Sequence, residues 1–169
     1  MPNIARRGLT ILLLRLQGTS LIRPGLRRLM LNLAGADIHP TAIVERGCHL
    51  GSNLRMGAGT ILNAYAFVDG SEWLVLEEGA RVAVRATIIT KTHAVGSDPD
   101  RRSDHSRNTV LQVVIGRGSW VGAGCTILPG CDIAPGCVIA AGTVVSRPTE
   151  PNGLYVGGGG MRRVKALPA

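Results

Sequence analysis

Aliphatic residues recur every six positions over most of the chain. A six-residue period cannot follow one face of an α-helix, because a helix turns about once every 3.6 residues. It fits a short strand followed by a corner, repeated, and predicts an all-β fold, a parallel β-helix in which each coil pairs with the next. The series comprise Ile38, Val44, Leu50, Met56, Leu62 and Val68; then Leu76, Val82 and Ile88; then Ile115, Val121, Ile127, Ile133, Ile139 and Val145.

A small residue lies two positions before almost every member of these series, and in the third series a glycine directly precedes the small residue. Alternate side chains of a strand share a face, so the small residue points inward with the aliphatic one. The glycine suits the corner, where unusual backbone dihedrals are needed. The small residues of the third series are Ser119, Cys125, Cys131, Cys137 and Thr143.

All four cysteines of the chain, Cys48 included, occupy this small inward position. A soft-metal or redox site is the alternative. However, the chain has no C-x-x-C pair and no histidine spaced to complete a ligand set. We interpret the cysteines as buried small hydrophobic residues and expect no metal. Without a clear secretion signal, they are expected to be reduced thiols in a cytoplasmic protein.

Residues 1–36 lack the six-residue pattern. Leu26, Leu29, Met30 and Leu33 recur at helical spacing, which predicts an amphipathic helix that caps the first coil. The segment contains six arginines and no acidic residue. We favour a cap with a solvated basic face, with peripheral membrane contact as a second interpretation. No apolar run approaches the ~18 residues that a membrane span requires.

The repeat is interrupted once more and then ends. Residues 94–112 are charged and poor in apolar side chains, which predicts a loop protruding from the β-helix. Residues 148–169 form a C-terminal tail. The β-helix is therefore expected to cover residues 37–147, between the cap of residues 1–36 and the tail.

The segment VVIGRGSWVGAGCTILPGCDIAPGCVIAAGTVVSRP, residues 113–148, resembles the hexapeptide-repeat acyltransferases. The galactoside, maltose and exopolysaccharide O-acetyltransferases are the most similar branch. The resemblance implies a left-handed β-helix of about five coils, triangular in section, with an N-terminal helical cap and a protruding loop. It also implies a homotrimer with active sites between neighbouring subunits. The spacing alone would not have indicated this handedness.

The resemblance further implies an acetyl-CoA-dependent O-acetyltransferase of polysaccharide biosynthesis that acts on a sugar or glycan hydroxyl. Such a transfer needs a base for the hydroxyl and donors for the developing oxyanion. His93, which ends IITKTH before the loop, matches the family's catalytic histidine and is predicted to be the general base. His105, inside the loop, is interpreted as solvated, and His39 and His49 are assigned no role.

Asn63 lies thirty residues before His93, where relatives place an asparagine that contacts the acceptor. A structural asparagine at a corner is an equal alternative. The loop acids Asp98 and Asp100 are expected to face solvent and stay outside the site.

Trp120 stands where many relatives carry a tryptophan near the coenzyme, and an exposed tryptophan on a strand needs a partner. The resemblance places further coenzyme contacts at the backbone of Ala123, a candidate oxyanion donor, and at Ala141. Basic groups suit the phosphates of coenzyme A. The other predicted coenzyme-binding residues are Ser146, Arg147, Arg162 and Lys165. In the C-terminal tail, Gly160 replaces a proline that is common in the family, which predicts a more mobile tail.

Two alternative functions are compatible with this fold. One is a non-enzymatic trimeric scaffold. The other is a metal enzyme like the γ-carbonic anhydrases, which needs three zinc-binding histidines from neighbouring turns, whereas only His93 is suitably placed. The net charge of +8 favours an anionic partner. Nucleic acid is disfavoured, since aromatic residues make up only 3% of the chain.

Overall fold

A computed structural model describes residues 4–93, 108–157 and 160–168. Two helices, α1 (Ile4–Gln17) and α2 (Pro24–Leu33), precede a stack of short strands. The strands in chain order are β1 (Asp37–Ile38), β2 (Ile43–Val44), β3 (Leu54–Met56), β4 (Ile61–Leu62), β5 (Phe67–Val68), β6 (Leu74–Leu76), β7 (Arg81–Val82), β8 (Thr87–Ile88), β9 (Lys91–Thr92), β10 (Thr109–Val110), β11 (Val113–Ile115), β12 (Trp120–Val121), β13 (Thr126–Ile127), β14 (Val138–Ile139), β15 (Val144–Val145), β16 (Gly153–Val156) and β17 (Arg162–Ala166).

The strands form three parallel sheets, which are the faces of a left-handed β-helix of about five coils. Face A contains β1, β3, β6 and β11. Face B contains β2, β4, β7, β12, β14 and β16. Face C contains β5, β8, β13 and β15. The predicted fold class is confirmed, and a complete coil contributes one short strand to each face in turn, as β3, β4 and β5 do.

The interior of the β-helix is filled as the six-residue pattern predicts. The aliphatic members of all three series are buried, and so are the small residues two positions before them. The Cys125 and Cys137 thiols donate hydrogen bonds to the carbonyls of Ala140 at 3.1 Å and Glu150 at 3.1 Å. Ser119 does the same to Ala134 O at 2.8 Å. The cysteines thus pack as small core residues that can also satisfy a neighbouring carbonyl.

Most corners carry the expected glycine in a left-handed conformation, as at Gly118 with φ 67° and Gly124 with φ 65°. At one corner two coils depart from this rule. Tyr65 (φ 61°) and Arg85 (φ 58°) occupy the same position before a buried alanine. A side chain in this conformation costs about 1 kcal/mol relative to glycine. Both residues lie where face B turns into face C.

The two helices cover the first coil through three polar side chains, one for each face. Asn32 bonds to both the N–H and the C=O of Ile38 on face A. Arg27 donates to Val44 O on face B at 3.0 Å, and Gln17 donates to Cys48 O on the face C side at 3.0 Å. The predicted cap is therefore present, and it satisfies backbone groups that no further coil can reach.

The buried face of α2 differs from the one expected. Arg27 is 1% exposed and also donates to the carbonyls of Gln17, Thr19 and Ile22, close to the end of α1. Met30 and Leu31 are buried beside it, whereas Leu26, Leu29 and Leu33 are exposed. The expectation that the leucine stripe packs on the coil and that Arg27 is solvated was wrong. The cause is that the carbonyls near the end of α1 need donors, which a leucine cannot supply.

The C-terminal segment adds two strands to face B. β16 pairs in parallel with β14, and β17 then returns antiparallel along β16. Residues 162–166 are thus hydrogen-bonded in a sheet, contrary to the mobile tail expected from Gly160. In the described ranges, no helix is long and apolar enough to cross a membrane.

Candidate functional site

A single column of outward side chains runs the length of face B. Strand register places Trp120 between Arg81 on one side and Val138 on the other. Trp120 is 54% exposed, as its outward strand position predicted. The column consists of Ile43, Ile61, Arg81, Trp120, Val138, Leu154 and Lys165.

A groove of about 450 Å³ opens on this face beside Trp120. Asn63 lines the same groove, so two residues predicted to bind different substrates meet in one cavity. The Asn63 side-chain oxygen accepts a hydrogen bond from the Ala64 N–H at 2.7 Å. That bond fits the structural alternative for Asn63, although the residue also belongs to the groove lining. The groove is lined by Ile61, Asn63, Arg81, Val82, Ala83 and Trp120.

Ala123 and Ala141 lie one above the other where face B turns into face C. Gly142 N donates to Ala123 O at 2.8 Å, which fixes the two coils together. The coils are so close that a Cβ on Gly122 would lie 2.6 Å from Ala141 N. Within the described ranges, the Ala123 N–H makes no backbone hydrogen bond. It can therefore donate to a ligand, as an oxyanion donor must.

His93 directly follows β9, at the end of face C, and its side chain is exposed. The approach to His93 is fixed by Asp69. The Asp69 carboxylate accepts hydrogen bonds from both the hydroxyl and the N–H of Thr90, and from Lys91 N at 3.2 Å. Glu72 N in turn donates to the Thr90 hydroxyl at 2.9 Å. A buried threonine and a carboxylate thus fix the backbone three residues before the histidine.

Face C separates His93 from the groove. Asn63 comes before β5 on this face, whereas His93 comes after the neighbouring parallel strand β8. Asn63 and His93 therefore lie at opposite ends of the face C strands. The structure brings Asn63, Trp120, Ala123 and Ala141 to one side of the triangular prism and places His93 on another.

Ser146 and Arg147 are exposed just after β15, on the same side of face C as His93. The Arg147 guanidinium donates to Met161 O at 2.9 Å and lines a groove of about 300 Å³ with Arg163. Arg163 is paired with Glu150 at 2.9 Å.

Lys165 and Arg162 are exposed on β17, at the far end of face B. Neighbouring strands lie about 4.8 Å apart, so Lys165 stands about 14 Å along the face from Trp120. The predicted basic residues thus fall into two places, Lys165 and Arg162 on the Trp120 face, and Arg147 near the His93 side.

The remaining candidates add little to the site. His105, Asp98, Asp100 and most of the predicted loop lie outside the described residues. His49 stacks on Phe67 with ring centroids 4.9 Å apart, and His39 is bonded to Thr41 at 2.9 Å. Among the described residues, no group of three His, Cys, Asp or Glu could hold a metal ion.

Sequence reasoning missed two residues, Arg81 and Asp69. Arg81 could have been found from its place in the repeat, since it stands one coil before Trp120 at the same outward position. Asp69 gave no such signal, because its contact with Thr90 spans 21 residues and depends on how the coils stack.

Comparison with known proteins supports the interpretation of the repeat. The family model for the bacterial transferase hexapeptide (six repeats) matches residues 112–147. A search of curated proteins finds no match.

Several solved structures share the fold. A maltose O-acetyltransferase from Clostridium difficile 630 is 26% identical over 98% of this chain and 88% of its own, with a TM-score of 0.81. A hexapeptide-repeat acetyltransferase from Vibrio cholerae is 21% identical over 99% and 96%, with a TM-score of 0.82. A galactoside acetyltransferase in complex with coenzyme A is 19% identical over 97% and 82%, with a TM-score of 0.75. The resemblance inferred from the sequence is confirmed.

Proposed function

We propose that this chain, a hexapeptide-repeat acyltransferase, moves the acetyl group of acetyl-CoA to a hydroxyl of a sugar or glycan. One observation carries the proposal. Exposed Trp120 lies on face B between the groove that contains Asn63 and the basic strand that contains Lys165. An acceptor on one side and a phosphorylated coenzyme on the other would meet at the tryptophan. The maltose and galactoside acetyltransferases among the similar structures support the choice of substrates.

The chemistry is a direct attack in a ternary complex. His93 takes the proton of the acceptor hydroxyl while the oxygen forms a bond to the thioester carbonyl. The carbon–sulfur bond then breaks, and the imidazolium returns the proton to the thiolate of coenzyme A. Ala123 N–H donates to the developing oxyanion. Cys125 is not a covalent intermediate, because it is buried inside the coil and burial raises the pKa of its thiol.

The complete site requires a second copy of the chain. His93 and the groove that contains Asn63 and Trp120 lie on different sides of one β-helix, so one subunit cannot bring its base to its own groove. In a homotrimer, His93 of one subunit would meet the groove of its neighbour. A closed ring of three identical interfaces gives three such sites.

We place the protein in the cytoplasm, at the membrane surface. Acetyl-CoA is a cytoplasmic substrate, and the four free thiols suit a reducing compartment. The helical cap exposes Leu9, Leu12, Leu16 and Leu21 near Arg15. Apolar side chains beside arginines are typical of helices that lie on anionic lipid surfaces. In a flotation assay, the protein should float with phosphatidylglycerol vesicles and not with phosphatidylcholine vesicles. Flotation with both kinds of vesicle, or with neither, would contradict a contact with anionic lipid.

Acetyl-CoA binding by titration calorimetry tests the function without a guess about the acceptor. Micromolar binding is expected, weakened about tenfold by Trp120→Ala and by the Arg162→Ala/Lys165→Ala pair. Trp73→Ala is the matched control, since Trp73 packs under Arg55 away from the groove. No binding at millimolar acetyl-CoA would overturn the transferase and favour a scaffold.

Mixed trimers test the shared site. His93→Ala homotrimers are expected to be inactive, and Trp120→Ala homotrimers are expected to keep only about a tenth of the native activity when acetyl-CoA is well below its dissociation constant. Unfolding and reassembling them together should restore about one quarter of the sites, because a neighbouring pair then supplies one intact base and one intact groove. Mixtures no more active than the Trp120→Ala homotrimers would show that each site uses one subunit alone.

A further inference from the structure

Arg81 stands in the middle of the groove on face B. In the strand register, Arg81 lies beside Ile61 on the side of Asn63 and beside Trp120 on the other side. The Arg81 side chain is exposed. The guanidinium therefore faces the space between the residue proposed for the acceptor and the residue proposed for the coenzyme.

The charge of Arg81 has no counterion in the described part of the chain. Two other outward arginines of the coils are paired, Arg55 with Asp37 at 3.1 Å and Arg117 with Glu78 at 3.0 Å. No carboxylate of the described residues lies within ion-pair distance of Arg81. The groove is mainly apolar apart from Asn63, so an unpaired guanidinium there attracts anions more strongly than one on open surface.

The position of Arg81 indicates which anion it meets. The phosphates of the coenzyme are proposed to bind at Arg162 and Lys165, on the opposite side of Trp120 along the same face. Arg81 lies on the Asn63 side, where the acceptor is proposed to bind. Its planar pair of donors suits a carboxylate or a phosphate better than a neutral hydroxyl.

On the basis of the proposed function, we infer that the acceptor is an anionic sugar. Its oxyanion, a uronic acid carboxylate or a sugar phosphate, is held by Arg81 while its reacting hydroxyl points toward the acetyl group. Arg81 is thus the residue that sets acceptor specificity, and a neutral hexose fills the same groove without a partner for the guanidinium.

The test measures coenzyme A release with sugars matched in threes: methyl glucoside, glucuronic acid and glucose 1-phosphate, and the same three of galactose. An anionic member is expected to exceed its neutral counterpart in kcat/KM by tenfold or more. Arg81→Leu should abolish that preference through KM, and Arg81→Lys should retain part of it. Carboxylate and phosphate members distinguish the two sources of the anion.

Arg55→Leu is the matched control, because Arg55 is an outward arginine at the same strand position on face A. It should keep the preference. A neutral sugar equal to or better than the anionic ones, or an equal loss for all sugars in Arg81→Leu, would overturn the inference. The inference would also be overturned if no anionic sugar were turned over and none gave a binding signal in saturation-transfer difference NMR.

Acetyl-CoA titration of the same variants separates this failure from failure of the proposed function. Normal acetyl-CoA binding without anion preference overturns only the role of Arg81. Loss of acetyl-CoA affinity in Arg81→Leu with unchanged acceptor KM would assign Arg81 to the coenzyme. If the native protein shows no acetyl-CoA binding at millimolar concentration, the proposed transferase function itself is overturned.

Discussion

The carboxylate of Asp69 accepts hydrogen bonds from both the N–H and the hydroxyl of Thr90, which is fully buried. The two residues belong to neighbouring coils, and their contact fixes the point where the chain leaves the β-helix toward His93. A general base must be held in place to be effective, because small displacements from the reactive geometry cost large factors in rate. Asp69 thus fixes the backbone that leads to His93, and in the proposed mechanism it is a positioning residue for that base.

Asp69→Ala should lower kcat by about tenfold to a hundredfold, because the two donors of Thr90 and the N–H of Lys91 lose their acceptor. The dissociation constant for acetyl-CoA should stay the same, since Trp120 lies on another side of the molecule. Steady-state kinetics beside calorimetry would check both. Asp37→Ala, at an exposed ion pair on face A, is the control and should change neither. Equal losses in kcat and in acetyl-CoA affinity would indicate general unfolding.

The glycines of the coils should divide into two classes on substitution. Gly122→Ala should cost about 3 kcal/mol or more of unfolding free energy, because the new Cβ would meet the backbone of Ala141 and Ile139 at 2.6 and 2.7 Å. Gly118→Ala should cost only about 1 kcal/mol, since its surroundings are open and only its φ of 67° is unfavourable. Urea unfolding measures both values. If Gly118→Ala were the more costly change, conformational strain would outweigh coil spacing.

The four thiols should resist labelling in the native protein. Burial raises the pKa of the thiols of Cys48, Cys125 and Cys131, so the reactive thiolate is scarce even at mildly alkaline pH. A maleimide at pH 8 is expected to label none of them within minutes and all four in denaturant, as read by mass spectrometry. Chelators should leave the melting temperature unchanged. Rapid labelling of any thiol would contradict its place in the coil interior.

Arg27→Met should destabilise the protein by about 3 kcal/mol, because it leaves the carbonyls of Gln17, Val44 and others without a donor. Arg23→Met, which removes an exposed arginine just before α2, should change stability by less than about 0.5 kcal/mol. Thermal unfolding compares the two. A neutral Arg27→Met would mean that water can replace the guanidinium at the cap.

The coils could be predicted from the sequence because each is encoded locally. An aliphatic residue, a small residue and a corner residue recur within six positions, so Val121 and Cys125 reveal their burial without knowledge of distant contacts. The cap was harder to predict. The leucines of α2 have helical spacing, but the spacing does not show which side of the helix is buried. That side is set by the carbonyls near the end of α1, which accept hydrogen bonds from Arg27.

The candidate site could be proposed from the sequence only where a motif marks it. Trp120 became a candidate through its neighbours in the repeat, and the structure shows that it is exposed. Arginine is common on the surface of this protein, so the residue type does not mark Arg81. Only the combination of its missing counterion and its place in the groove distinguishes it. The role of His93 stays a prediction, and the sequence alone could not show that face C separates this residue from Asn63.

The cap has a consequence for how large this molecule can grow. A stack of coils has no intrinsic length, because every added coil pairs with the last one just as the previous coil did. The first coil would therefore be an open template for strands of another molecule if its backbone groups were free. Asn32, Arg27 and Gln17 occupy those groups, one on each face, and so terminate a one-dimensional polymer after about five layers. A chain without its two helices is expected to elongate end to end into fibres.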